Sequence, residues 1–177
     1  MSYTCITAFL VLYGNLRGID GMGYYFTVYA ICLLASRPLY GVLSDHIGIG
    51  RVIPVGLLCF ALSLFLVGIA DSLSWYLVAA AIGAFGYGAV QPLLQSLSLR
   101  LAPSSSRGAA SNTNYAGLDL GTLIGPTLGG GIIGGLQAVG FAEIFSYSAM
   151  YFVLIVPVLA SLVVFLIFRK TLTRGVS

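Results

Sequence analysis

The fold of this chain is decided by residues 37–51, RPLYGVLSDHIGIGR. The stretch carries Arg37, Asp45, His46 and Arg51, whereas the sequence on both sides of it is strongly apolar. Its glycines allow two helices to turn closely, its acid can sit at a helix end, and its bases can lie near lipid headgroups. The stretch therefore predicts a short charged loop, over 44–51, between two membrane-spanning helices.

The composition excludes a soluble globular protein. The 177 residues are 59% hydrophobic and only 7% charged, and the mean hydropathy is +1.02. A soluble domain carries roughly 25% charged residues, so this chain cannot cover a globular surface with polar groups. Backbone groups in lipid must be bonded internally, which leaves helix bundles or closed barrels. Because the apolar runs are continuous and about 20 residues long, we predict an all-α membrane protein.

Six apolar segments are separated by short polar ones. The predicted helices lie at 1–14, 21–43, 52–70, 75–101, 109–136 and 145–168. At ~1.5 Å per residue, the first segment is too short to cross a ~30 Å hydrocarbon core. We therefore expect a fragment that starts inside a spanning helix, with a half-helix as the other possibility.

Lys and Arg are distributed unevenly between the two ends of the predicted bundle. The loops at one end and the C-terminus carry six of them: Arg51, Arg100, Arg107, Arg169, Lys170 and Arg174. The loops at the other end carry Arg17 together with acidic residues. The positive-inside rule then predicts a multi-pass protein of the cell membrane whose 44–51 loop and C-terminus are cytoplasmic.

Polar side chains recur at helical spacing on the second, fourth and fifth helices, whereas the third and sixth are nearly bare and are expected to face lipid. The polar sets are Tyr25, Tyr29, Cys32 and Ser36; Tyr87, Gln91, Gln95 and Ser98; and Asn112, Tyr115, Asp119 and Thr122. Such spacing places each set on one helix face. A polar face at membrane depth either bonds to another helix or lines a water-filled cavity. Three such faces favour a cavity, and we expect it to be lined by Tyr25, Tyr29, Gln91, Gln95, Tyr115 and Asp119.

Asp119 is the residue best suited to bind a proton or a cationic substrate. It lies about ten residues into the fifth predicted helix, hence ~15 Å along it. A carboxylate at this depth costs several kcal/mol unless it is protonated or paired. A protonated carboxyl group there suits proton coupling, and an ionised one suits a cationic substrate. A purely structural pairing is the alternative.

The fifth predicted helix also carries a ridge of small residues. Gly121, Gly125 and Gly129 recur every four residues, and Pro126 lies between them. Such ridges let helix backbones approach closely, and proline removes a backbone hydrogen bond and favours a kink. This pattern fits a helix that bends during a functional cycle, although static packing would produce the same pattern.

Both glycine-containing stretches resemble signatures of one family. Gly41-x-Leu43-Ser44-Asp45-x-x-Gly48-x-x-Arg51 is similar to the loop motif of the major facilitator superfamily, with His46 where that family usually has Arg or Lys. Gly121-x-x-x-Gly125-Pro126-x-x-Gly129 resembles the antiporter motif of the same family. Arg37-Pro38, Asp119 and the end of the chain soon after the sixth helix are more similar to the second half of such proteins, helices seven to twelve.

The resemblance implies a C-terminal six-helix half whose first helix is truncated. It also implies a secondary active transporter that works by alternating access. Gly41, Asp45, Gly48 and Arg51 would form a gating loop, in which the acid meets a helix N-terminus of the missing N-terminal half. We predict proton-coupled efflux of small hydrophobic or drug-like molecules. The alternative is a truncated or non-transporting membrane subunit that needs a partner half.

An enzyme is not expected. Ser44, Asp45 and His46 are the residue types of a catalytic triad, but adjacent positions on a turn cannot align nucleophile, base and orienting acid. The chain has one His and no cluster with metal-ligand spacing. No metal, cofactor or nucleic-acid partner is predicted. The expected partners are the lipid bilayer, a small-molecule substrate, protons and the missing half.

Overall fold

The computed structural model describes residues 1–173, without the side chains of Lys170, Thr171 and Thr173. The elements are α1 (Ser2–Leu16), α2 (Gly23–Ile47), α3 (Ile49–Ile69), α4 (Leu73–Leu101), a 3₁₀ turn (Ser104–Ser106), α5 (Arg107–Ala138), α6 (Glu143–Val153) and α7 (Ile155–Thr173). Over this part of the chain all regular structure is helical, which confirms the prediction of an all-α protein.

Five segments are long and apolar enough to cross a membrane. They are Gly23–Ile47, Ile49–Ile69, Leu73–Leu101, Ser104–Ala138 and Glu143–Arg169, so that α6 and α7 together supply one span. Helix α1 has only 15 residues and is shorter than a span. The predicted bundle of five full helices and one short first helix is therefore confirmed.

The helices run up and down, and their connections gather at two ends of the bundle. The Gly48 end contains the turns at Gly48 and at 102–106, and the Gly140 end contains the turns at 17–22, 70–72 and 139–142. Helix α1 begins beside the middle of α5. A Cβ built on Gly125 would lie only 2.5 Å from Met1 O. It therefore runs from the middle of the bundle to the Gly140 end.

Helix α3 is the most buried of the five spans, which corrects the expectation that it simply faces lipid. It packs on α4, α6 and α7. The large apolar side chains that α3 exposes form one stripe: Val55, Leu58, Leu62, Phe65 and Ile69. An apolar sequence suits an apolar protein contact as well as lipid, so the absence of polar residues could not distinguish the two environments.

The predicted charged loop over 44–51 is almost entirely helical in the structure. Helix α2 continues to Ile47 and α3 begins at Ile49, so Gly48 alone separates them, with φ 85° and ψ 142°. The Gly48 N–H still donates to the Ser44 carbonyl at 3.0 Å. A single glycine can reverse the chain here because it has no Cβ to clash at positive φ. The charged residues therefore lie in the end turns of two helices.

The sixth span, predicted as one helix over 145–168, is interrupted at Leu154. Pro157 has no N–H, and its ring clashes with the carbonyl of Val153 four residues earlier, so a regular helix cannot pass this point. The Ser2 hydroxyl donates to the Leu154 carbonyl at 3.2 Å, which ties the start of α1 to the interruption.

Gly48→Ala is expected to lower the free energy of unfolding by about 1–3 kcal/mol, because alanine is strained in a region of φ and ψ that is nearly restricted to glycine. Thermal unfolding in detergent, followed by circular dichroism, measures this loss. Gly41→Ala is the matched control, since no atom lies within 4 Å of its Cβ position and its φ is not positive. Equal unfolding midpoints for the two variants would contradict the strain at Gly48.

Candidate functional site

A polar face is formed by two neighbouring helices, α4 and α5. Gln95 Nε2 donates to the Tyr115 hydroxyl at 3.0 Å, which joins the two helices directly. Gln91 lies one turn from Gln95 on α4, and Asp119 lies one turn from Tyr115 on α5, so each shares a helix face with its neighbour. Tyr115 is 50% exposed and Asp119 is exposed. Four of the six predicted cavity residues therefore belong to adjacent helices.

A cavity of about 600 Å³ lies beside this face. Helices α1, α3, α4, α5 and α7 surround it, and its polar groups include those of Gln91 on α4 and Thr122 on α5. Most of the remaining wall is apolar or aromatic, and includes Leu57, Phe60, Tyr87, Val90, Leu94, Leu118 and Val158. Cavities of about 300–1,000 Å³ with few polar groups suit small molecules.

Tyr25 and Tyr29, predicted to line the cavity, are only 1% and 4% exposed. Their rings stack at 6.2 Å, and Tyr29 stacks on Tyr3 at 5.5 Å. Tyr3 in turn stacks on Tyr87 at 4.7 Å, and both of these rings line the cavity. Tyr25 and Tyr29 therefore lie behind the cavity wall in this structure.

The polar stripe of α2 is covered because α4 approaches it closely. A Cβ built on Gly88 would overlap the Ser36 hydroxyl, and one built on Gly83 would lie 2.5 Å from Ser63 Oγ on α3. The spacing of Tyr25 and Tyr29 predicted a common face, but glycines on another helix determined that protein covers this face. Sequence reasoning missed Tyr3, since a single aromatic residue near the start of a short helix carries no pattern.

The outer faces of α2 and α5 are the least covered parts of the bundle. Helix α2 exposes large apolar side chains, namely Tyr24, Ile31, Leu34, Leu39 and Val42. Helix α5 exposes Asp119 about 18 Å from its start, together with Leu120 and Leu123. A carboxyl group at this depth is costly in lipid, so the α5 face requires protein or water against it.

The residues of the predicted gate lie together at the Gly48 end. Gly41 and Asp45 are one turn apart on α2, and Arg51 is in the first turns of α3, and all three are exposed. Within residues 1–173, Asp45 makes no hydrogen bond or ion pair. Its carboxylate is thus not engaged by the described part of the chain.

The small-residue ridge of α5 faces α1. A Cβ built on Gly125 would lie 2.6 Å from Thr4 Oγ1, and one built on Gly129 would lie 3.0 Å from both Phe9 Cε2 and Met150 Sδ. The Cβ position of Gly121 lies 2.9 Å from Met1 N. Helix α5 continues through Pro126 without interruption. The ridge lets α1 and α6 pack directly on the α5 backbone.

The basic side chains at the Gly48 end are described only in part. Arg51, Arg100 and Arg107 are exposed there. Arg174 lies outside the described residues, and so does the side chain of Lys170. Across the described part of the chain, no group of three His, Cys, Asp or Glu residues could hold a metal ion.

Arg17 is engaged in a network that its position in a predicted loop did not indicate. Its Nη1 donates to the Ala70 carbonyl at 2.5 Å, and its Nη2 donates to Ser148 Oγ at 3.3 Å. The guanidinium carbon lies 4.8 Å from the centre of the Tyr13 ring. The Tyr13 hydroxyl donates to the Gly68 carbonyl at 2.9 Å. The network holds α1, α3 and α6 together at the Gly140 end.

Comparison with known proteins identifies the relatives of this chain. The family described as the Major Facilitator Superfamily matches residues 1–176. A stretch of 117 residues, 66% of the chain, is 30% identical to the uncharacterized MFS-type transporter YhcA of Bacillus subtilis (strain 168). This stretch covers 20% of that relative, so the match spans only about a fifth of its length.

Proposed function

The chain belongs to the Major Facilitator Superfamily, a family of membrane transporters, and we propose that it is the C-terminal half of a proton-coupled exporter of small hydrophobic or drug-like molecules. Family membership points to a transporter rather than an enzyme. Transport would occur by alternating access, in which two halves rock around a central site.

The observation that carries this proposal is the exposed carboxyl group of Asp119 at membrane depth on the α4–α5 polar face. A protonated carboxyl group tolerates a dry, closed site, whereas an ionised one requires water. Opening of the site to one side would release the proton, and closing would require its uptake. The contact from Gln95 to Tyr115, one turn away, holds the two helices of this face in register.

The neighbouring cavity supports the proposed substrate class. Its largely apolar wall would take up hydrophobic surface, and Gln91 and Thr122 supply hydrogen-bonding groups that could orient a bound molecule. Tyr3 and Tyr87 present stacked rings at the same wall, which suits aromatic ligands.

The exposed gate residues support a role for a partner half. Asp45 can meet the N-terminus of a helix in that half, where the macrodipole favours an anion. Gly41, one turn away, has open space at its Cβ position and would allow a close approach. The basic Gly48 end would face the cytoplasm, in line with the positive-inside rule.

Asp119→Asn is expected to abolish the dependence of transport on a pH gradient, because an amide cannot take up and release a proton. The test measures efflux of a fluorescent hydrophobic cation from proteoliposomes that hold this half together with its partner half. Asp71→Asn is the matched control, since Asp71 is an exposed carboxylate in the turn before α4. Unchanged pH dependence in Asp119→Asn would remove Asp119 from the coupling mechanism.

A second candidate is a non-transporting subunit that needs a partner half, and the sparsely covered outer faces of α2 and α5 favour it. Proteoliposomes that hold the 177-residue chain alone should then show no vectorial transport. Transport by the chain alone would contradict this candidate.

A further inference from the structure

A second cavity, of about 480 Å³, lies between the last turns of α4 and the first residue of α5, at the Gly48 end. We call it the α4–α5 groove. It is lined by Pro92, Gln95, Ser96, Leu99, Arg100 and Arg107. The described residues that line it thus include two arginines and no acid. None of them lines the 600 Å³ cavity.

The two arginines are not engaged by the described part of the chain. Arg100 is the last residue but one of α4, and Arg107 is the first residue of α5. Both side chains are exposed, and neither makes a hydrogen bond or an ion pair with the described residues. Both guanidinium groups can therefore donate to an anion in the groove, and no protein carboxylate on its wall competes for them.

The start of α5 adds to the positive potential at this groove. The N-terminus of a helix carries a partial positive charge, which a side-chain cap or an acidic first turn usually offsets. Helix α5 has neither, since Ser106 makes no side-chain cap bond and the first turn contains no acid. Arg107 occupies the first position instead. The helix end and the two arginines therefore favour a ligand of the same charge, an anion.

The position of the groove in the membrane indicates which anion it suits. Helix α4 has 29 residues, hence a length of about 43 Å, so its ends reach the lipid head groups. Arg100 lies at one of these ends. The planar fork of arginine matches the oxygens of a phosphate group, and basic pockets between membrane helices bind anionic head groups. Phosphate is therefore the anion that fits this place.

The groove also continues from the arginines towards the hydrocarbon. Pro92 lies eight residues before Arg100 on α4, which is about 12 Å deeper along the helix. Pro92 and Leu99 give the inner part of the groove apolar surface. A molecule with a phosphate group at the membrane surface and an apolar chain below it would match this order of polar and apolar groups.

We propose that Arg100 and Arg107 bind a phosphate group in the α4–α5 groove. Anionic phospholipids and free phosphate both carry this group, and the apolar inner part of the groove favours the lipid. A bound phosphate would join the end of α4 to the start of α5. This binding does not depend on the proposed transport function, because neither arginine has a role in it.

Titration with phosphatidylglycerol, followed by native mass spectrometry of the 177-residue chain in detergent, tests the site. Arg100→Ala and Arg107→Ala are each expected to raise the dissociation constant about tenfold, because each removes hydrogen bonds between two charged groups. Arg51→Ala is the matched control, since Arg51 is exposed at the same end but does not line the groove. It should change the constant by less than about twofold. An equal loss in all three variants would show diffuse attraction and overturn the proposal.

Thermal unfolding in nanodiscs distinguishes the two sources of phosphate. Relative to phosphatidylcholine alone, phosphatidylglycerol at ten times its dissociation constant should raise the unfolding midpoint by roughly 3–6 °C. The double variant Arg100→Ala, Arg107→Ala should lose this rise and match the parent chain in phosphatidylcholine. A rise with inorganic phosphate that the double variant loses would support the same site with free phosphate as its ligand. If neither probe raises the midpoint, or if the double variant keeps the rise, the proposal is wrong.

Discussion

Gly86→Ala is expected to destabilise the bundle by about 3 kcal/mol, the upper end of the usual cost of overpacking a core. A Cβ on residue 86 would lie 2.5 Å from Phe60 N and 2.7 Å from the Gly56 carbonyl oxygen. Both of these atoms belong to the backbone of α3 and cannot rotate away as the end of a side chain could. Helices α3 and α4 would therefore have to separate. Thermal unfolding of the purified chain in detergent measures the loss.

Gly117→Ala is the matched control for this substitution. Gly117 lies inside α5, and no atom is found within 4 Å of its Cβ position. Alanine favours a helix over glycine by about 1 kcal/mol, so this variant should be as stable as the parent chain or more stable. If Gly86→Ala unfolded at the same temperature as Gly117→Ala, the close contact of α3 and α4 would be refuted.

Arg17→Ala is expected to lower the free energy of unfolding by about 3 kcal/mol. The guanidinium donates to the Ala70 carbonyl and to Ser148 Oγ, and hydrogen bonds from a charged group contribute about 1.5–3 kcal/mol each. Ala70 is the C-terminal cap of α3, where the helix macrodipole favours a cation. The variant removes the charge, both bonds and the contact with the Tyr13 ring. Unfolding in detergent again measures the change.

Two further variants separate the geometry of Arg17 from its charge. Arg17→Lys keeps the charge but lacks the planar fork that reaches Ala70 and Ser148 together, so it should restore only part of the lost stability. Arg100→Ala removes an exposed cation at the Gly48 end and should change stability by less than about 0.5 kcal/mol. Equal losses for Arg17→Ala and Arg100→Ala would show that the network contributes nothing.

The Arg17 network, the α5 glycine ridge and the contact between Gly56 and Gly86 join most of the helices into a single packed unit. Helix α1 is held by Arg17 at the Gly140 end and by the α5 glycine ridge at its start. Helices α3 and α4 are held through Gly56 and Gly86. The least covered surfaces of the described residues are the outer faces of α2 and α5, against which the partner half that we propose would pack. This division between a packed interior and two open faces fits a half that moves as a rigid body.

The membrane class, the number of spans and their approximate positions could be predicted from the sequence. These properties follow from local composition, because roughly 20 apolar residues cross a bilayer and polar residues end each span. The ends of the elements were less predictable. The structure has Gly48 alone where the sequence predicted an eight-residue loop, and it divides the last predicted helix near Pro157. The glycine and the proline can be read in the sequence, but their effect on the helix ends could not.

The sequence by itself determined the helical membrane architecture, the family signature around Asp45 and the polar stripes, since hydrophobicity and residue spacing act over a few turns. Only the tertiary structure decided which stripe stays open. Tyr25 and Tyr29 are covered, because Gly83 and Gly88 let α4 approach its neighbours, whereas Asp119 remains exposed on α5. Spacing specifies a face of a helix, but the neighbour that covers this face comes from residues distant in the chain.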